Sequence, residues 1–86
     1  MNPDGLDLAG PDRLISLVGD VVTVLSPKPL PVGRRVDLSL GPDAGPPVGG
    51  KVIDAVSSSD AFRIRIRLHS LPPPRRLALA ALLPRP

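Results

Sequence analysis

Thirteen prolines and eight glycines break the 86-residue chain so often that no long helix fits before its C-terminal end. What remains between the breaks are short apolar stretches, and their periodicity is that of strands. Arg35–Leu40 alternates: Val36, Leu38 and Leu40 share one face, while Arg35, Asp37 and Ser39 share the other. Phe62–His69 is the clearest case. Phe62, Ile64, Ile66 and Leu68 form an apolar face opposite Arg63, Arg65, Arg67 and His69. Leu14–Val18 and Val21–Leu25 flank Gly19-Asp20 and read as two strands, or one strand bent at the glycine. Val48–Val56 is a further strand, in which Gly49-Gly50 accommodates a bulge or a close backbone approach.

The connectors follow from the breakers. Asn2-Pro3-Asp4-Gly5 and Gly10-Pro11-Asp12 are turn signals, so residues 1–12 are expected as a flexible lead-in to a single domain over residues 13–86. Pro27, Pro29 and Pro31 impose an extended connector, Gly41–Pro47 is a long hairpin loop, and Ser57–Asp60 is a turn. Ser70 and Pro72–Pro74 prepare a helix start, because proline is tolerated in a first turn. Arg75–Leu83, rich in Ala and Leu, is then a short helix that must dock on the sheet, since a helix this short is marginal alone. The expected fold class is mainly β, with antiparallel strands and one short C-terminal helix.

Composition bounds the chemistry. The 28 Val, Ile, Leu and Phe residues suffice for one modest core, and dimerisation would supplement it. With no cysteine there is no disulfide and no thiolate metal site. The opening MNPDGLDLAG is not an export signal, and the longest apolar run, Leu77–Leu83, is far too short to span a bilayer. A cytoplasmic protein without a membrane partner is the expectation. All eight acids are Asp and nine of the eleven basic residues are Arg, a bias matching a GC-rich bacterial genome. Net charge is −2 over residues 1–43 and +5 over residues 44–86, so the C-terminal half is the one suited to phosphates or an acidic protein surface.

No catalytic constellation is legible, and the chain is not expected to be an enzyme. The lone histidine, His69, has Asp60 as its nearest preceding acid, no serine sits in a nucleophile elbow, and one His with scattered Asp makes no metal site. Gly49-Gly50-Lys51 lies within a strand pattern rather than before a helix, unlike a phosphate loop. Arg63, Arg65 and Arg67 are the candidate partner-binding residues. They suit an acidic protein surface, and they could also grip a nucleic-acid backbone without reading bases, or serve only to keep an exposed face soluble. Sequence-blind nucleic-acid binding is the weaker alternative, because stacking platforms need exposed aromatics and the only aromatic, Phe62, falls on the apolar face.

Pro29-Leu30-Pro31-Val32-Gly33-Arg34-Arg35-Val36-Asp37-Leu38-Ser39-Leu40, then Val48-Gly49-Gly50-Lys51-Val52-Ile53, then Phe62–Leu68, resembles the PilZ domain family in its order of turn, strand, loop, strand and outgoing strand. Leu77–Leu83 stands where that family's closing helix lies, and the resemblance spans about residues 14–83. It implies a small antiparallel β-barrel with a C-terminal helix. Family members that bind cyclic di-GMP carry an arginine pair with three residues between its members near the N-terminus, and a motif of Asp or Asn, any residue, Ser, two residues, Gly. Ser16 and Gly19 match the end of that motif, but Leu14 stands at its acid and Arg13 has no second arginine at the required spacing. Arg63 and Arg67 have the spacing but lie on the outgoing strand, and Asp37–Gly41 is one residue short. The resemblance therefore implies a PilZ-like adaptor with no cofactor, binding an acidic surface of a bacterial motility, polarity or signalling component. The alternative is a divergent cyclic di-GMP receptor using Arg34, Arg35, Ser16 and Gly19.

Each lost guanidinium fork removes charge-assisted hydrogen bonds of roughly 1.5–3 kcal/mol. Calorimetry with cyclic di-GMP should accordingly give no heat at high micromolar ligand; a saturable isotherm there would restore the receptor reading.

Overall fold

The computed structural model describes residues 4–8, 10, 12–41, 46–69 and 71–83. In chain order the elements are β1 (Asp4–Asp7), β2 (Arg13–Val18), β3 (Val21–Ser26), β4 (Arg35–Ser39), β5 (Val48–Ser57), β6 (Phe62–Leu68) and α1 (Pro73–Ala80). The strands form one sheet in the order β1-β4-β5-β6-β3-β2, curled into a half-barrel with β1 and β2 as its two edges.

Strand β6 sits inside the sheet, antiparallel to β5 on one side and β3 on the other. Its alternation is realised fully: Ile64, Ile66 and Leu68 are buried, while Arg63, Arg65 and Arg67 are exposed. Phe62 is half-buried and packs against the core. The inward faces of the neighbours complete that core with Val22 and Val24 from β3, Val48 and Val52 from β5, and Val36 and Leu38 from β4. Leu30 joins from the proline-rich connector.

The Gly19-Asp20 break resolves as a hairpin between two strands. Gly19 takes φ +59°, a left-handed conformation that glycine adopts without steric cost. Gly50 answers the close-approach reading. It faces inward between Val36 and Leu68, and a Cβ there would stand 2.6 Å from Ile66 Cγ2 and 2.9 Å from the Arg67 carbonyl oxygen. The bulge in β5 lies instead between Val52 and Asp54, and a second one interrupts β2 between Leu14 and Ser16.

Three expectations need correction. First, the segment read as a flexible lead-in supplies β1, and Leu6 and Leu8 are buried. Of the two turn signals there, the one at Gly10–Asp12 holds, the amides of Gly10 and Asp12 both donating to the Asp7 carbonyl oxygen. Asp4 and Gly5 of the other lie in β1, and Asn2 and Pro3 are outside the described residues. The buried Asp12 carboxylate is satisfied in turn by the Asp7 amide at 2.7 Å. Second, the sheet is not wholly antiparallel, because β1 pairs parallel with β4, Leu6 opposite Leu38. Parallel neighbours need a long crossover, and the β2–β3 hairpin with its connector provides one. Third, among the described residues no β1–β2 pairing closes the sheet, which is a half-barrel open along that side.

The helix runs Pro73–Ala80 rather than Arg75–Leu83, since prolines at its first positions are already helical and Leu82 and Leu83 lie in the turn that follows. Leu79 is wholly buried, whereas Leu77 is exposed. Arg76 fastens the helix to the β2–β3 turn by donating from Nη2 to the Gly19 carbonyl oxygen at 2.9 Å, with Asp20 Oδ1 at 3.5 Å. The expected loop over Gly41–Pro47 lies partly outside the described residues, at 42–45, as do Ser70 in the expected helix start and the terminal prolines Pro84 and Pro86. No helix among the described residues is long and apolar enough to cross a membrane.

The two adjacent glycines of β5 should respond differently to the same change. Gly50→Ala drives a methyl into Ile66 and backbone and should cost about 1–3 kcal/mol in urea unfolding. Gly49→Ala, whose nearest neighbour is Asp37 Oδ1 at 3.6 Å, should be close to neutral.

Candidate functional site, a cationic outer face

Residues two apart on a strand share a face, and registered residues on paired strands stand side by side. Applied to the observed pairings, these rules assemble an outer face that no single segment contains. Arg35 of β4 is opposite Lys51 of β5, and Lys51 is opposite Arg67 of β6. Three cations thus stand in a row across three adjacent strands. Arg67, Arg65 and Arg63 extend the row down β6, and Arg13 of β2 lies beyond Leu25 in the Arg63 row. All six of these basic residues are exposed.

The acids nearby do not neutralise the row. Asp54 is opposite Arg65, but its Oδ1 accepts from the Ala55 amide at 3.0 Å. Asp37 stands in the next row, between Gly5 and Gly49. Among the described residues no carboxylate lies within ion-pair distance of Arg35, Lys51, Arg63, Arg65 or Arg67. Like charges directly opposite across a ladder are destabilising. The row is therefore held against its own repulsion by the burial on the opposite face of the same strands.

Apolar groups interleave with the cations. Val56, about half exposed, is opposite Arg63, and Ile53 is turned outward at the bulge beside Lys51. Around Lys51 the surface is concave. A cleft of about 450 Å³ is lined by Val32, Gly33, Lys51, Val52, Ile53, Arg67 and His69. The connector forms one wall, tied to β5 by the Gly33 amide donating to the Val52 carbonyl oxygen at 2.8 Å and the Val52 amide donating to the Arg34 carbonyl oxygen at 2.9 Å.

The sequence-derived candidates fall into two places. Arg63, Arg65 and Arg67 belong to the outer face, together with Arg35. Arg34 is exposed just before β4. Ser16, opposite Thr23, and Gly19 belong to β2 and its turn, at the far edge of the sheet. Four strand spacings, roughly 19 Å along the sheet, separate β4 from β2. The structure thus does not gather Arg34, Arg35, Ser16 and Gly19 into one site. Leu14 is 2% exposed and belongs to the core. Lys51, His69, Val32 and Ile53 were not candidates from sequence; the signal for Lys51 and His69 was their parity with Arg67, but their adjacency depends on pairing.

Among the described residues no three His, Cys, Asp or Glu side chains cluster as a metal site would require. No protein-family model, curated protein or solved structure matches the chain.

Relieving the row should stabilise the fold. Arg67→Gln is expected to raise unfolding stability at low ionic strength by about 0.2–1 kcal/mol. The gain should shrink as salt is added and screening shortens the reach of the charges. Unfolding curves of the two proteins that keep the same separation at every salt concentration would show that the row carries no repulsion.

Proposed function

We propose that this chain is a non-catalytic binding module of PilZ-like fold that docks an acidic surface of a protein partner on the outer face of its sheet. The observation that carries the reading is the row Arg35–Lys51–Arg67, continued by Arg65 and Arg63. A face that concentrates five cations with no carboxylate within ion-pair distance among the described residues gains from an anionic partner what it lacks there. Its chemistry suits protein better than nucleic acid. Arginine mixed with exposed Val56 and Ile53 matches the make-up of protein interfaces. The sole aromatic, Phe62, packs against the core and so offers no platform for a base.

The PilZ-like part rests on the sequence pattern of Pro29–Leu40, Val48–Ile53 and Phe62–Leu68, and the half-barrel with its terminal helix is compatible with it. That resemblance is also the support for a role in bacterial motility, polarity or signalling. The burial of Leu14 at the motif's acid position, and the distance between Ser16 and Arg35, favour an adaptor over a cyclic di-GMP receptor.

Affinity capture from a lysate of the source cells tests the reading. The wild-type protein should retain a defined acidic partner, and R63E/R65E/R67E, checked for native circular dichroism, should lose it. Capture of every partner by the reversed variant would exclude this face.

A further inference from the structure

The cleft beside Lys51 has features that docking a broad acidic surface does not use. It is concave and joins the polar side chains of Lys51, Arg67 and His69 with Val32, Gly33, Val52 and Ile53. Its volume, about 450 Å³, falls within the roughly 300–1,000 Å³ range of small-molecule sites.

We propose that this cleft is a binding site for a small organic phosphate, a phosphate monoester with a compact apolar body. Lys51 and Arg67 are registered directly opposite one another. Their Cβ atoms are therefore about 4.5–5.5 Å apart, so an ammonium and a guanidinium can close on the same anion. His69 follows Arg67 on the same face, and its amide donates to the Gly49 carbonyl oxygen at 3.1 Å, which sets it beside a β5 position with no side chain. A phosphate monoester brings close to two negative charges and three acceptor oxygens at neutral pH. That dianion matches the Lys51–Arg67 pair and offsets a repulsion the fold otherwise sustains.

The rest of the lining sets the body of the ligand. Val32 is 63% exposed and Ile53 is 37% exposed, and both border the cleft. Ile53 lies two residues after Lys51 and so shares its outer face, and the bulge between Val52 and Asp54 follows directly beside it. Gly33, at φ +92°, has nothing within 4 Å of where a Cβ would stand, so backbone alone forms that wall and leaves room. An apolar moiety lying between Val32 and Ile53 would leave its phosphate at Lys51 and Arg67.

The site goes beyond the docking face but shares Lys51 and Arg67 with it, so an occupied cleft would withdraw two cations from an acidic partner. Its test needs no partner, and its failure would leave the docking reading standing. Phenyl phosphate is titrated into the isotopically labelled full chain, with phenol and inorganic phosphate as controls. Phenyl phosphate should cause saturable amide shifts confined to Gly33, Lys51, Ile53, Arg67 and His69. Inorganic phosphate should bind the same residues more weakly, and phenol should not bind. K51Q/R67Q should weaken phenyl phosphate by about tenfold or more, from the loss of charge-assisted hydrogen bonds. Val32→Asp, which keeps both cations but places a carboxylate at the apolar wall, should weaken it as well. Non-saturating shifts, shifts spread equally over Arg13 and Arg63, or unchanged affinity in both variants would each overturn the proposal.

Discussion

The packing of β6 between β3 and β5 is the constraint on which the other features depend. One strand with strict alternation holds Ile64, Ile66 and Leu68 in the core and Arg63, Arg65 and Arg67 in solvent. A register slip of a single residue against either neighbour would exchange those faces, burying three guanidinium groups at prohibitive cost. The apolar face thereby fixes the pairing with β3 and β5, and the pairing fixes what stands beside each arginine.

The cationic row follows from that same hydrophobic selection. Arg67 meets Lys51, and Lys51 meets Arg35, because Ile66 must meet Val52 and Gly50 must fit between Val36 and Leu68. Gly50 is central to that pairing, since only the absence of a side chain admits Ile66 and the Arg67 carbonyl at that distance. Burial inside has imposed repulsion outside. A chain selected for stability alone would relieve such a row with one carboxylate; here Asp54 turns to the Ala55 amide and Asp37 stands a row away. A surface held at that cost fits a binding face.

Most of the fold was legible because its signals are local. Strand alternation and breakers placed β2 to β6 within a residue or so of their observed ends, and the prolines placed the start of α1 within two residues. The failures are equally instructive. Asp4–Asp7 has no alternating run and is flanked by turn residues, so nothing local marks it as a strand; only the exposed edge of β4 and the burial of Leu6 and Leu8 make it one. The open side of the half-barrel was invisible for the same reason, since closure concerns two edges distant in sequence. At the candidate site, β6 parity exposed Arg63, Arg65 and Arg67 correctly. Ser16 and Gly19 came from motif spacing and were joined to Arg34 and Arg35, which match no motif, and the sheet order sets β2 four strand spacings from β4.

The amino-acid sequence by itself determined where β2 to β6 begin and end and which of their side chains face water, because both depend on neighbours within a few residues. Only the tertiary structure decided that Arg35, Lys51 and Arg67 stand in one row, that β1 runs parallel to β4, and that Val32 and Ile53 border a common cleft. Those adjacencies join segments separated by whole connectors. They are settled by competition among all strands for one buried face, which no local pattern records.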